Sequence, residues 1–423
     1  MFPVITLGKS IRAAMHLRGG GSTLPGLVVE RIDPNFLKRT LSQLPYGIVV
    51  ISGTNGKTTT TKMVVELLRA QGVKVFSNPT GSNFTRGIVS SLLGSVDAKG
   101  KLDADIAVLE LDEAHAVHFV REIKPKYSLL LNVMRDQLDR FGEIDTTAKM
   151  LETIARNTTD MVVLNREDPR IKHIATSLDT NQFVSYFGLS KEAKTHFPND
   201  DELHKQKIPT ANTVSSADET ILESFKNRSA VFSYNGKTKK VSLKLDGIYN
   251  VFNAAAALAL VKVIVDKNIN EASLFKSLEN VTPAFGRGEV ITIDGQPLEL
   301  VLVKNPSGFR LGLKSFDPKG YATMIAINDN YADGRDMSWL WDVDFSSLKT
   351  DGVAGVSGMR AYDMALRLQY DDVAIGNICT DLRASLKQFN RENKDKPKRI
   401  FCTYTAMLAI RKELGKTLKM ESE

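Results

Sequence analysis

A mostly apolar run, Tyr46–Ser52, ends directly on Gly53-Thr54-Asn55-Gly56-Lys57-Thr58-Thr59, and a helical pattern follows from Thr58 through Ala70. Few folds accommodate that order. The run reads as a strand buried on both faces of a parallel sheet. Met63, Val64, Leu67 and Leu68 give the helix its apolar side. Between them, two glycines let the backbone turn tightly and approach a ligand closely. Successive N–H groups and the helix N-terminus then cradle anionic oxygens. Lys57 is placed to reach β- and γ-phosphates, and the Thr58 hydroxyl to ligate Mg²⁺. The usual Walker pattern has a further glycine where this chain has Ile51. Gly53, Thr54, Asn55, Gly56, Lys57, Thr58 and Thr59 are therefore the candidate nucleotide-binding residues. The competing reading is a tight strand–helix turn with an incidental lysine.

The same alternation continues along the chain. Strands are expected at Lys74–Ser77, Ile106–Leu111, Tyr127–Leu131 and Met161–Leu164, with a helix at Thr146–Ala155. That pattern predicts an α/β fold with a mostly parallel sheet covered on both faces. From 190 to 230 the residues turn polar, and an irregular excursion is expected. Strands near Val231–Tyr234 and Lys240–Leu245 and an alanine-rich helix, Val251–Val265, complete a central domain over 46–295. A smaller C-terminal α/β domain, 296–423, has strands at Leu300–Val303, Ala322–Ile327 and Arg399–Thr403 and a helix at Met359–Gln369. Residues 1–45 read as an N-terminal segment packing on the central domain, with a helix over Ser10–Leu17 and a Gly-rich loop, Gly19–Gly26.

At 423 residues, 42% hydrophobic and 25% charged, the chain has the composition of a globular protein of more than one domain. Its net charge of +7 is spread among acids, apart from the runs Lys237–Lys240 and Lys394–Arg399, which read as solvated faces. No basic stripe interleaved with aromatics argues for nucleic acid. Two cysteines, Cys379 and Cys402, exclude a disulfide framework and a four-cysteine zinc site and fit a reducing cytoplasm.

The Gly-Thr-Asn-Gly-Lys-Thr-Thr string resembles Mur ligases and folylpolyglutamate synthetases, and other segments follow in the same order. Glu110-Leu111-Asp112-Glu113-Ala114 stands after a strand where the family keeps a magnesium-binding glutamate, matched by Glu110. An acidic helix cap is the alternative for Glu110–Glu113. Asn132–Asp139 resembles the family's Asn…Asp-His-Leu-Asp segment, with Gln137 replacing the histidine that helps hold a second metal. Lys149 stands at the position of the carbamylated lysine of several Mur ligases; a surface helix lysine is the other reading. Asn165–Pro169 resembles a family turn. Gly247, Asn250, Asn253 and Ala256 match a helix start associated with adenine contact, and Gly286-Arg287 a pair whose arginine contacts the nucleotide.

Toward the C-terminus, Val303–Phe309, Asn328–Asp336, Ser338–Asp342, Ser357–Asp363 and Tyr404–Leu408 narrow the resemblance to the MurT family, the Mur ligase-like subunits of lipid II isoglutaminyl synthase. The resemblance implies ATP and Mg²⁺ as cofactors and lipid II as substrate. It implies amidation of a D-glutamate α-carboxylate through an acyl phosphate, with ammonia from a GatD-type class I glutamine amidotransferase subunit. Lys57 and Glu110 would be catalytic. Asp342, with Asp344 as second choice, would complete the partner's catalytic triad; Trp339 and Trp341 read as packing or interface anchors. Many relatives carry a four-cysteine zinc ribbon centrally; without cysteines in 190–230, zinc is expected absent. Membrane contact is expected to be at most peripheral, through the lipid substrate at the cytoplasmic face. An amino-acid-adding ligase and a nucleotide-gated scaffold for a glutaminase are the rival readings.

Overall fold

The computed structural model describes residues 2–17, 23–78, 84–135, 144–197, 202, 219–226, 228–245, 247–282, 289–316 and 318–416. The chain divides into two compact units. One comprises Met1–Val133, Asp145–Lys244 and Asn250–Val281; the other comprises Met134–Ile144, Leu245–Tyr249 and Thr282–Glu423.

Three helices precede the first sheet: α1 (Phe2–Leu17), α2 (Leu24–Ile32) and α3 (Phe36–Leu41). The helix α1 starts eight residues earlier than its polar–apolar pattern suggested. Pro3 is harmless in a first turn, where its missing N–H has no helical partner, and Ile5 buries against the body. Gly8 lets α1 close on Val29 and Leu93, which would both lie within 3 Å of a Cβ at that position.

The first sheet contains β1 (Ile48–Ser52), β2 (Val75–Ser77), β3 (Ile106–Glu110), β4 (Tyr127–Leu130), β5 (Met161–Asn165), β6 (Phe183–Leu189), β7 (Thr220–Lys226), β8 (Ser229–Tyr234) and β9 (Lys237–Ser242). Their spatial order is β2-β3-β1-β4-β5-β6-β7-β8-β9. Pairing is parallel from β2 to β7, and β8 and β9 add an antiparallel ribbon. Strands β1 and β3 are buried along their whole length, which is why they appear in the sequence as continuous apolar runs. Connecting helices include α4 (Lys57–Ala70), α5 (Thr85–Ser95), α6 (Glu113–Glu122), α7 (Ile144–Arg156), α8 (Pro169–Ile174) and the short α9 (Lys191–Lys194). Within the stretch read as irregular, β7 pairs with β6 (Phe187 opposite Thr220). Its outer half is progressively exposed, so its side chains lack the apolar density that marks a strand.

Helix α10 (Ile248–Val265) is apolar on every side and two-thirds buried, the character of a core helix. After α11 (Glu271–Asn280) comes the second sheet, in the order β10-β11-β15-β12-β13-β14. Its strands are β10 (Glu289–Ile293), β11 (Gln296–Leu302), β12 (Ala322–Ala326), β13 (Val353–Ser357), β14 (Ile375–Cys379) and β15 (Lys398–Cys402). All neighbours are parallel except β10 and β11. The strand β10 lies before the boundary read at residue 295, yet it belongs to this sheet. Its alternation of exposed and half-buried residues concealed it. The helices of this unit are α12 (Pro306–Ser315), α13 (Ala361–Tyr370), α14 (Leu382–Glu392) and α15 (Tyr404–Leu414).

Candidate active site at the carboxyl edge of the first sheet

Strand β1 sends its chain toward β2 on one side, whereas β4 sends its chain toward β5 on the other. The crevice where neighbouring strands part company in this way is the usual ligand site of an open α/β sheet. The loop 53–56 lies there. Gly53 has φ +134° and Gly56 φ +91°, backbone that side-chain-bearing residues rarely adopt. A Cβ on Gly56 would stand 2.6 Å from Asn253 Oδ1, and one on Gly53 would stand 3.0 Å from the Asn132 backbone N. Both glycines are therefore required by shape as well as by dihedral angle.

The segment after β4 holds the loop open. Thr54 N donates to the Asn132 carbonyl at 3.0 Å. Asn55 N donates to Asn132 Oδ1 at 2.9 Å, and Asn132 Nδ2 donates to the Asn55 carbonyl at 3.0 Å. From β3, Glu110 Oε1 accepts the Thr58 hydroxyl at 2.8 Å. The backbone of Glu110 is clamped by Asn78, which accepts from its N–H at 3.0 Å and donates to its carbonyl at 2.9 Å. The Lys57 ammonium donates to the Gly53 carbonyl at 2.5 Å and lies 3.3 and 3.4 Å from the two carboxylate oxygens of Glu113, in the first turn of α6. Lys57, Thr58, Thr59, Glu110 and Glu113 are all buried.

This donor set suits a phosphate ester and a small hard cation. The Thr58 hydroxyl and Glu110 carboxylate present adjacent oxygens, and Mg²⁺ takes one or two protein oxygens and completes its shell with water and phosphate. Among the described residues no group of three or more His, Cys, Asp or Glu side chains forms a closed metal cage. Asn250 and Asn253 are buried in the first turns of α10, with Asn253 against Gly56. Lys149 is exposed on α7; its ammonium makes no ion pair among the described residues. Gln137 and Arg287 lie outside the described residues.

Three residues of this site were missing from the sequence-derived set of site residues: Asn78, Asn132 as the brace of the loop, and Glu113 as the partner of Lys57. A lone asparagine after a three-residue strand carries no spacing signal. Glu113, though inside the Glu110–Ala114 segment, reads equally well as a helix-start acid.

Asp168 secures the brace from behind. Its Oδ2 accepts from Val133 N at 2.7 Å, and its Oδ1 accepts from Arg170 N at 3.0 Å and Ile171 N at 3.2 Å. Burial pushes its carboxyl up to about 6, against the opposing pull of these backbone donors. The folded protein therefore binds this proton more tightly than the unfolded chain, whose aspartates titrate near ~3.9. The resulting stabilisation is full below pH ~4 and is lost as pH rises through ~6, amounting to roughly 3 kcal/mol. In urea titrations from pH 4 to 7, the wild type should lose about 2 kcal/mol of stability relative to Asp168→Asn. Parallel curves would show that Asp168 does not titrate in this window.

In the second unit, Asp342 ends a single 3₁₀ turn, Ser338–Asp342. Its carboxylate is exposed and accepts no hydrogen bond among the described residues, while Arg310 donates to its backbone carbonyl. Asp344 is occupied: Ser346 N donates to it at 2.9 Å, and that bond holds its carboxyl below the usual range. Trp339 is buried, its ring tilted against Phe309 at 6.4 Å, whereas Trp341 is half-exposed and meets Tyr370 edge-on at 5.2 Å. The Asn328–Asp336 segment is largely tied to itself and its neighbours. Asp333 accepts from Thr405 N at 2.7 Å, and Arg360 bridges to Asp329 at 2.7 Å.

Residues 51–261 match the family described as Mur ligase middle domain, and residues 302–407 match MurT ligase C-terminal. Over 96% of this chain and 95% of its own length, the MurT subunit of lipid II isoglutaminyl synthase (glutamine-hydrolyzing) from Streptococcus pneumoniae strain R6 is 32% identical. The chain belongs to the MurT family. The MurT subunit of Staphylococcus aureus strain COL is 30% identical over 88% of each chain. Among solved structures, MurF from Acinetobacter baumannii superposes with a TM-score of 0.69 at 17% identity, covering 93% of this chain and 81% of that one. Folylpolyglutamate synthase from Mycobacterium tuberculosis, complexed with ADP and AMPPCP, gives 0.61 at 15% identity over 99% and 96%. These distant likenesses establish the Mur ligase fold for this MurT chain.

Proposed function

We propose that this MurT chain is the ATP-using subunit of a two-protein amidotransferase that converts the α-carboxylate of D-glutamate in lipid II to the amide of D-isoglutamine. The observation that carries the reading is the meeting of Lys57, Thr58 and Glu110 at one phosphate loop, in a chain related along nearly its whole length to a lipid II isoglutaminyl synthase subunit.

A carboxylate is a poor electrophile and must be activated. One of its oxygens attacks the γ-phosphorus of ATP, the bond to the β,γ-bridging oxygen breaks, and ADP leaves an acyl phosphate. Ammonia then attacks the carbonyl carbon, the carbon–oxygen bond to phosphate breaks, and inorganic phosphate and a proton depart. Lys57 and the loop N–H groups stabilise charge on the transferring phosphoryl group. Mg²⁺, when held by Thr58 and Glu110, neutralises phosphate charge there. Ammonium is not nucleophilic, so the site needs ammonia delivered by a partner. The words subunit and glutamine-hydrolyzing in the relatives' names support a GatD-type glutaminase in that role. The free carboxylate of Asp342 suits it to orient the partner's catalytic histidine. Beside it, Trp341 and the α13 face formed by Tyr362, Leu366 and Tyr370 are exposed, an aromatic surface of the kind that protein interfaces cover. On this reading the reaction takes place at the cytoplasmic face of the membrane.

The test is reconstitution of this chain with its cognate glutaminase, lipid II, ATP, Mg²⁺ and glutamine, with the product read by mass spectrometry. A carboxylate-to-amide mass change requiring both proteins is expected. ATP turnover with amino acid addition and no amide would return the chain to the amino-acid-adding ligases.

A further inference from the structure

Lys57 is not a bare cation waiting for phosphate. Its ammonium sits 3.3 and 3.4 Å from both oxygens of Glu113, a carboxylate buried at the start of α6. Glu110, three residues earlier in the chain, accepts from Thr58, the residue next to Lys57. Two buried carboxylates thus flank the loop at its one lysine. A phosphate oxygen within hydrogen-bond reach of Lys57 would lie within about 6 Å of Glu113, the sum of two such contacts. At that separation in a buried site, like charges repel strongly. A metal-free nucleotide brings only negative charge. A magnesium nucleotide brings a cation that both carboxylates attract.

We propose that Glu113 is a competing counter-ion for the phosphate-loop lysine: it restrains Lys57 and makes the loop select the magnesium complex of a nucleotide over the free nucleotide. This rests on the nucleotide-binding reading of the loop and does not depend on lipid II or the glutaminase. Glu113 acts through Lys57 and through the local charge, so it is a positioning and selectivity residue.

The experiment is fluorescence titration of the full chain with N-methylanthraniloyl-ADP, in EDTA and in saturating Mg²⁺, for wild type, Glu113→Gln and Glu113→Asp. Glu113→Gln should bind the metal-free probe about tenfold more tightly than wild type, and the factor by which Mg²⁺ tightens binding should shrink by a similar amount. Glu113→Asp keeps the charge and should keep the wild-type magnesium factor. Loss of a merely structural contact would weaken both affinities together, and that result would overturn the proposal, as would an unchanged magnesium factor in Glu113→Gln. Should Glu113→Gln fail to fold, a magnesium factor in Glu113→Asp reduced to near unity would equally overturn it. A wild type that binds the probe under neither condition would remove the nucleotide reading itself.

Discussion

Lys57→Ala should lower glutamine-driven amidation of lipid II by about a thousandfold or more, the scale on which phosphoryl-transfer enzymes depend on their charge-neutralising groups. The side chain is the cation that the loop geometry brings to its mouth, with Thr58 and Glu110 beside it. The substitution also has a structural consequence. It strips Glu113 of its buried partner, and an uncompensated buried carboxylate destabilises a fold by about 3–5 kcal/mol. Lost activity in Lys57→Ala alone is therefore ambiguous. The double variant Lys57→Ala/Glu113→Gln removes both charges and should recover most of the thermal stability while recovering none of the amidation. Amidation within tenfold of wild type in the folded double variant would mean that phosphoryl transfer does not use this loop.

The second large effect belongs to the other unit. Asp342→Asn should leave the complex with the glutaminase intact yet reduce its glutamine hydrolysis by about a thousandfold, because an amide in the orienting position favours the wrong histidine tautomer. Amidation driven by added ammonium chloride should persist. Asp344→Asn is the internal comparison: its side-chain oxygen can still accept from Ser346 N, so it should leave both stability and glutamine hydrolysis close to wild type. Leu366→Asp, on the exposed face of α13, should instead abolish co-elution of the two proteins. Equal activity in Asp342→Asn and wild type would remove Asp342 from the triad.

Burial accounts for part of what could be seen in the sequence, although β13, almost wholly buried, was not among the strands read from it. Strand β1, the loop and α4 were legible because a strand covered on both faces is apolar at every position and its turn demands glycine. The strands β7 and β10 were not, since a strand with an exposed side interleaves polar residues and loses its contrast with a loop. The short strand β2 was found, but nothing in its three residues announces that Asn78, immediately after it, grips both backbone groups of Glu110. Glu113 shows a further limit. Its residue type and place suggest an acid at a helix start, and only the approach of α6 to α4 pairs it with a lysine 56 positions earlier. Side chains that meet through topology leave no spacing for a sequence to display.

The order of the second sheet also bears on how the chain is made. Strand β15, the last in sequence among the described residues, lies between β11 and β12, with Lys398 opposite both Leu298 and Ala322. A nascent chain halted short of Cys402 holds two half-sheets with open, mutually unsatisfied edges, the kind of surface that recruits chaperones and proteases. Strand β15 thus works as a keystone, joining two groups of strands that are distant in the sequence into one sheet.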